Sequence, residues 1–246
     1  MTEQTEIQPW IKRFSGSAAA GKAAVVLFPH AGGAAAAYRG LATAVSAAGP
    51  DTYIVQYPQR ADRLADPALD TIEEMAAELF DAADWARVGP LRLLGHCMGA
   101  IVAFEFARLA ESRGVEVEQL WASAGQAPST VAGSPRVPTA DHELLADIVD
   151  LGGTDPRLLE DEEFVQLLLP AVRADYRAFN RYHCPAHVRI RADIHAIGGT
   201  TDHRVEPALL QRWELHTDAV FTSTFLDGGH FYINDHVDVV AELVSA

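Results

Sequence analysis

Three features of the chain predict an α/β fold with a mostly parallel central sheet flanked by helices. Apolar runs of strand length, AAVVLF at 23–28, LRLL at 91–94 and the stretch from Gln119 to Ala124, are continuous rather than alternating, as in strands buried on both faces. Between these runs lie segments whose apolar residues recur at helical spacing, so that strand and helix alternate. Glycine-rich turns follow the strands, at Gly32-Gly33, Gly95, Gly198-Gly199 and Gly228-Gly229. With 246 residues, 49% of them apolar, the chain is long enough to bury a sizeable core as one domain spanning 1–246 with an inserted cap.

The first strand is expected at Ala23 to Phe28. The loop after it, Pro29-His30-Ala31-Gly32-Gly33, leads into a helical stretch, so its backbone N–H groups are free to face a small anion; by itself it also reads as a plain glycine turn. Thr52 to Tyr57 is a second strand, and PQRADRLADP at 58–67 reads as a polar loop. From Thr71 the chain is amphipathic, with Ile72, Met75, Ala76, Leu79, Phe80 and Ala83 on one face and a capping box between Thr71 and Glu74.

The stretch from Leu91 to Ala107, LRLLGHCMGAIVAFEFA, carries the chemistry. A short apolar run ends at Gly95 and a run of helical length begins after Gly99, which places Cys97 on a strand-to-helix turn, the context of a nucleophile elbow. Glycines are needed on both sides because the sharp turn brings neighbouring backbone too close for a Cβ. A thiol there stands at the positive end of a helix, where it attacks as a thiolate. The bland alternative is a buried structural cysteine.

Gln119 to Ala124 is the next strand, after which the alternation breaks. Gln126 to Pro138 is rich in Pro, Ser and Gly; two helices follow, Asp141 to Leu151, stopped by Gly152-Gly153, and Glu160 to Tyr182, with Pro170 as a kink. Residues 126–186 therefore read as a helical lid inserted over the carboxyl edge of the sheet. Arg173, Arg177 and Arg181 fall on one helix face, a row that is either solvated or meets an acidic partner. Strand character returns from His187 to Gly198 and leads to Gly199-Thr200-Thr201-Asp202. Another strand, Val220 to Leu226, leads to Asp227-Gly228-Gly229-His230-Phe231, and a helix from Asp235 to Ser245 follows. Asp202 alone is an ordinary turn aspartate and His230 alone an ordinary histidine, but the order Cys97, Asp202, His230 is that of a nucleophile, an orienting acid and a base.

The formal charge of −15 disfavours nucleic acid and anionic membrane surfaces as partners. Two cysteines, far apart, provide neither a disulfide framework nor a metal spacing. Met1 to Pro9 is polar and no apolar run reaches membrane length, so a cytoplasmic protein without leader or anchor is expected.

The motifs FPHAGG, QYPQRADR, GHCMGA, LLLPAVRADYRA, GGTTDHRV and GGHFY, taken in order and spacing, resemble the type II thioesterases that accompany polyketide and nonribosomal peptide synthetases. The resemblance runs from about Trp10 onward. It implies an α/β-hydrolase fold, no cofactor or metal of the protein's own, and a substrate held as a thioester on the phosphopantetheine arm of an acyl or peptidyl carrier protein. It puts the nucleophile at Cys97, the acid at Asp202, the base at His230 and the oxyanion donors at the backbone N–H groups of Ala31 and Met98. The family usually has serine where Cys97 stands. An acyl-serine is an oxygen ester that water finishes, whereas an acyl-Cys97 is still a thioester, so its transfer to a second carrier thiol is close to thermoneutral. Hydrolytic release is thus the first expectation, acyl or aminoacyl transfer between carriers the second, and a catalytically silent carrier-binding protein the third.

Overall fold

The computed structural model describes residues 9–17 and 23–245. Of the polar stretch Met1 to Pro9, all but Pro9 lies outside the described residues. Strand β1 (Ile11–Phe14) has no counterpart among the expected strands, because IKRF is short, half charged and takes its order from a neighbour. Strand β2 (Ala24–Phe28) is wholly buried, as its continuous apolar run requires. Helix α1 (Arg39–Ala47) leads to β3 (Thr52–Val55). β3 stops short of Tyr57 because its partner β1 runs out where Ile11 faces Val55, although Gln56 N–H still bonds the Trp10 carbonyl at 2.8 Å. Helix α2 (Ile72–Asp81) has the expected capping box: Thr71 accepts from Glu74 N–H, and the Glu74 carboxylate accepts from Thr71 N–H.

A single-turn α3 (Trp85–Val88) precedes β4 (Leu91–His96), α4 (Met98–Ser112) and β5 (Val117–Ser123). Three helices come next without a strand: α5 (Asp141–Leu151), a short α6 (Pro156–Leu159) and α7 (Glu162–Arg181). Gly152, at φ 75°, ends α5 in the left-handed conformation that glycine adopts freely. α7 runs unbroken with Pro170 inside it, so the proline does not end the helix. The second half of the chain supplies β6 (Asp193–Gly199), α8 (Pro207–Gln211), β7 (Phe221–Leu226) and α9 (Val237–Ser245). β6 begins later than His187, because the chain first makes a turn in which Val188 N–H bonds the Pro185 carbonyl, leaving only an isolated bridge at Ile190.

The sheet order is β1-β3-β2-β4-β5-β6-β7, and every pairing except β1 with β3 is parallel. The two-residue period of β2 divides the core. Val25 and Leu27 pack with Leu41, Val45, Val240 and Val244 under α1 and α9. Ala24, Val26 and Phe28 pack with Met75, Leu79, Ile101 and Phe104 under α2 and α4. Each such large side chain contributes roughly 1.5–3 kcal/mol of transfer free energy, so both layers hold the sheet firmly. Helices α5 and α7 have a smaller core of their own, Leu144, Ile148, Val172 and Tyr176. Among the described residues no helix is long and apolar enough to cross a membrane.

Candidate active site

The site grows from the turn between β4 and α4. Cys97 has φ 56° and ψ −122°, a region that costs a residue with a side chain about 1–3 kcal/mol. The turn is enforced by close packing: a Cβ on Gly95 would lie 2.2 Å from the Gly99 carbonyl oxygen, and one on Gly99 would lie 2.1 Å from that of Phe28. Cys97 N–H bonds the Ser123 carbonyl at 2.8 Å, which ties the elbow to β5. The thiol is half-buried, and Met98 opens the first turn of α4, so the positive end of that helix faces the sulfur.

Asp202 and His230 arrive on the loops after adjacent strands β6 and β7. Those loops are laced together by Thr200 N–H on the Leu226 carbonyl at 2.8 Å and Thr201 N–H on the Gly228 carbonyl at 2.9 Å. His230 Nδ1 lies 2.9 Å from Asp202 Oδ2, with both side chains buried. The other carboxylate oxygen of Asp202 accepts from Arg204 N–H at 2.8 Å and Val205 N–H at 3.2 Å. The aspartate that caps its own turn is therefore also the residue that meets His230. Burial pushes the Asp202 carboxyl up, but the hydrogen bond and charge of His230 and the two amides outweigh it and hold the pKa below its ordinary value. Burial likewise works against a charged His230, yet the Cys97 sulfur and Asp202 lift its pKa to about 10. His230 Nε2 has no partner of full hydrogen-bond geometry; the Cys97 side chain is the group it meets. Such a loose contact is common before substrate binds.

Two more histidines stand around Cys97, and both are held neutral. His96 is buried and pushed well below its ordinary range, first by burial and then by the charge of His230. Its Nδ1 lies 2.8 Å from Ser123 Oγ, which lies 2.5 Å from the Tyr232 hydroxyl, which donates to the Ile197 carbonyl at 3.1 Å. His30 is pushed down to about 3 by burial, then by the charges of His230 and Arg60, and its Nδ1 lies 2.8 Å from the Tyr38 hydroxyl.

Cavities open on both sides of Cys97. One, of about 460 Å³, lies under α7 and is mainly apolar; Ala31, Ile148, Leu168, Val172 and Phe231 line it, and the exposed Leu64, Leu158 and Leu167 form part of its lining. The other, of about 370 Å³, is lined by His230, Met98, Arg136, His203 and Arg204. Leu151 and Tyr176 contribute to both.

The site also contains charged residues to which the motifs assigned no role. Arg60, in the stretch read as a polar loop, is buried and paired with the equally buried Asp175 of α7. A signal was present: Asp175 interrupts the apolar stripe formed by Ala171, Val172 and Ala178, where an unpartnered carboxylate would be costly. The arginine row on α7 turns mostly to acids of the same chain, Arg173 to Asp141 and Arg181 to Asp70.

A strained residue between a parallel strand and a buried helix, with an acid and a histidine on the loops after two later strands, defines the chain as an α/β hydrolase. It belongs to the thioesterase domain family, whose model matches residues 23–246. It is 64% identical over 243 residues to phenyloxazoline synthase MbtB of Mycobacterium tuberculosis (strain ATCC 25618 / H37Rv); that match covers 99% of this chain but only 17% of the relative's length. With thioesterase PikA5 of Streptomyces venezuelae it shares 37% identity over 92% of this chain and 80% of the relative. The solved structure of the type II thioesterase BorB from the borrelidin biosynthetic cluster superimposes with a TM-score of 0.83 at 39% identity, covering 98% of each chain.

Proposed function

We propose that the protein hydrolyses acyl or aminoacyl thioesters carried on the phosphopantetheine arm of carrier proteins in polyketide or nonribosomal peptide synthesis. The observation that carries this reading is Cys97 on its strained elbow, facing a His230 that is buried against Asp202. Likeness to a segment of a much longer synthase supports work beside, or as part of, a multidomain assembly.

His230 Nε2 takes the Cys97 proton, the sulfur adds to the thioester carbonyl, and the oxyanion is held by the N–H groups of Ala31 and Met98. The C–S bond to the arm breaks, and the departing sulfur takes its proton from His230. That step orients the substrate. The leaving sulfur must lie on the His230 side, so the arm occupies the cavity that contains His230 and Arg136, while the acyl group lies in the apolar cavity beneath α7. Residues 126–186 serve as the lid that closes both. Water, deprotonated by His230, then attacks acyl-Cys97 and releases the acid. The test is incubation with an acylated carrier protein, followed by intact mass and assay of free acid. An adduct on Cys97 and released acid are expected; neither adduct nor turnover would leave only a carrier-binding protein.

The sulfur itself favours a second reading, transfer to another carrier, since acyl-Cys97 keeps the activation of its donor. With loaded and empty carriers present together, Cys97→Ser should raise acid released relative to acyl transferred, because an acyl-serine returns to a thiol only uphill. An unchanged ratio, or a native protein that only releases acid, would make the cysteine a substitute nucleophile in an ordinary hydrolase.

A further inference from the structure

The loop that brings Ala31 to the site is held by side chains from elsewhere rather than by its own turn alone. Gly32 N–H donates to Asp175 Oδ2 at 2.7 Å, Arg60 Nε donates to the Gly33 carbonyl at 3.1 Å, and Ala35 N–H donates to Gln56 Oε1 at 2.9 Å. The same three side chains are linked: Arg60 Nη2 bonds Asp175 Oδ2, and Gln56 Nε2 donates to the Arg60 carbonyl at 3.1 Å. The Arg60 guanidinium also lies 5.0 Å from the centre of the Tyr57 ring and bonds the Pro58 carbonyl.

The backbone around Arg60 is strained. Gln59 (φ 65°) and Ala61 (φ 49°) flank it, and among the described residues the other positive-φ positions that are not glycine are Cys97 and Ala124, both in the walls of the active-site cavities. The contact with the insertion is equally tight, since a Cβ on Gly32 (φ 76°) would lie 2.4 Å from Val172 Cγ2. A buried ion pair is weak evidence for stability, because an apolar pair of similar size commonly fits as well. What this pair supplies is direction, since one Asp175 oxygen meets both the guanidinium and the peptide unit that follows Ala31.

We propose that Arg60 and Asp175 are positioning residues of the oxyanion hole: they carry the placement of α7 into the 31–33 loop, so that Ala31 N–H is aimed at the reacting carbonyl only while the insertion is seated. The inference rests on the thioesterase reading above. It ties closure over the acyl group to completion of the site, a form of gating in which a half-closed lid leaves an incompetent hole.

The test compares two reactions of Cys97 in the full chain. Acylation by hexanoyl-pantetheine needs the oxyanion hole, whereas alkylation by iodoacetamide needs only the thiolate. In Asp175→Asn and in Arg60→Lys, single-turnover acylation should fall on the order of 10- to 10²-fold, with the loss in kcat rather than KM, while alkylation stays within about twofold. The double variant Arg60→Met with Asp175→Leu, which restores packing without direction, should fold and remain slow. Equal losses in both reactions for the two single variants, or a double variant that acylates at the native rate, would overturn the inference. Native acylation beside unchanged variants overturns it alone; a native protein that neither forms a hexanoyl adduct nor releases hexanoic acid overturns the thioesterase reading and this inference with it.

Discussion

The two sides of Cys97 are built on different principles. On the base side, Asp202 and His230 stand just past the ends of neighbouring strands whose ladder continues into their loops, so their separation is set by main-chain hydrogen bonds of the sheet. On the oxyanion side, the 31–33 loop owes its shape to a buried arginine, glutamine and aspartate, the last delivered by the helical insertion. The first side moves only if the sheet moves. The second follows α7, whose Val172 and Tyr176 pack with Leu144 and Ile148 in a small core of the insertion, while its last turns reach the main core at Ala178 and Phe179. In the proposed mechanism, proton transfer is thus fixed by the scaffold, and stabilisation of the oxyanion is entrusted to the insertion.

The largest effect that can probe this contrast is loss of the sulfur on which both sides converge. Cys97→Ala should abolish adduct and turnover with little change in thermal midpoint, because the half-buried thiol leaves a small cavity. Persistent turnover would remove Cys97 from the mechanism. Next, Asp202→Asn should lower turnover on the order of 10²- to 10⁴-fold. Asp227→Asn, at a residue whose carboxylate accepts from Thr200 Oγ1 at 3.1 Å, should stay near native; the reverse ranking would reassign the acid.

A pair of glycine substitutions compares the two sides in one measurement. Gly99→Ala sets a Cβ against backbone of the sheet and should cost about 3 kcal/mol or more in urea unfolding. Gly32→Ala meets a side-chain methyl of the insertion and should cost less stability while still slowing acylation. Equal costs would mean that the insertion is as unyielding as the sheet.

A smaller effect concerns pH. His230 has a folded pKa of about 10 against an ordinary 6.5, so the stability it contributes is complete below about 6.5 and is lost as pH rises through about 10. Asp202, held below 3.8, contributes above that value and loses it as pH falls through the depressed folded pKa. Urea midpoints across pH 6–10 should therefore decline in the native protein and decline less in Cys97→Ala, which lacks the main cause raising His230. Parallel declines would detach the histidine from the sulfur. Least of all, Arg173→Ala, which breaks an exposed pair with Asp141, should change stability by no more than about 1 kcal/mol.

How well the residues foretold the molecule follows the same division. The sheet was legible because AVVLF, LRLL and the LWA run toward Ser123 are apolar on every residue or nearly so, and burial on two faces leaves that mark, whereas the edge strand FTSTFL is half polar and nowhere fully buried. The elbow was legible because close backbone approach demands glycine at 95 and 99. Strand β1 was hidden, since an edge strand of four residues borrows its order from β3. Arg60 was misread because a charged residue in a loop of arginines and aspartates looks solvated; only its partner's place in the buried stripe of α7 shows that it is not. Pairing across distant segments leaves no period in the chain, and so the oxyanion side was read less completely than the base side.

The order in which the site's parts occur along the chain also has a consequence for synthesis. Cys97 emerges from the ribosome well before Asp202 and His230, and α9, whose Val240 and Val244 join the layer formed by Leu41 and Val45, emerges later still. Until that layer closes, the sulfur has neither its base nor a sheltered cavity, and reacts as an ordinary cysteine would. On the proposed mechanism a nascent chain therefore cannot process thioesters, and the thiol gains its base only in the packing step that closes that layer.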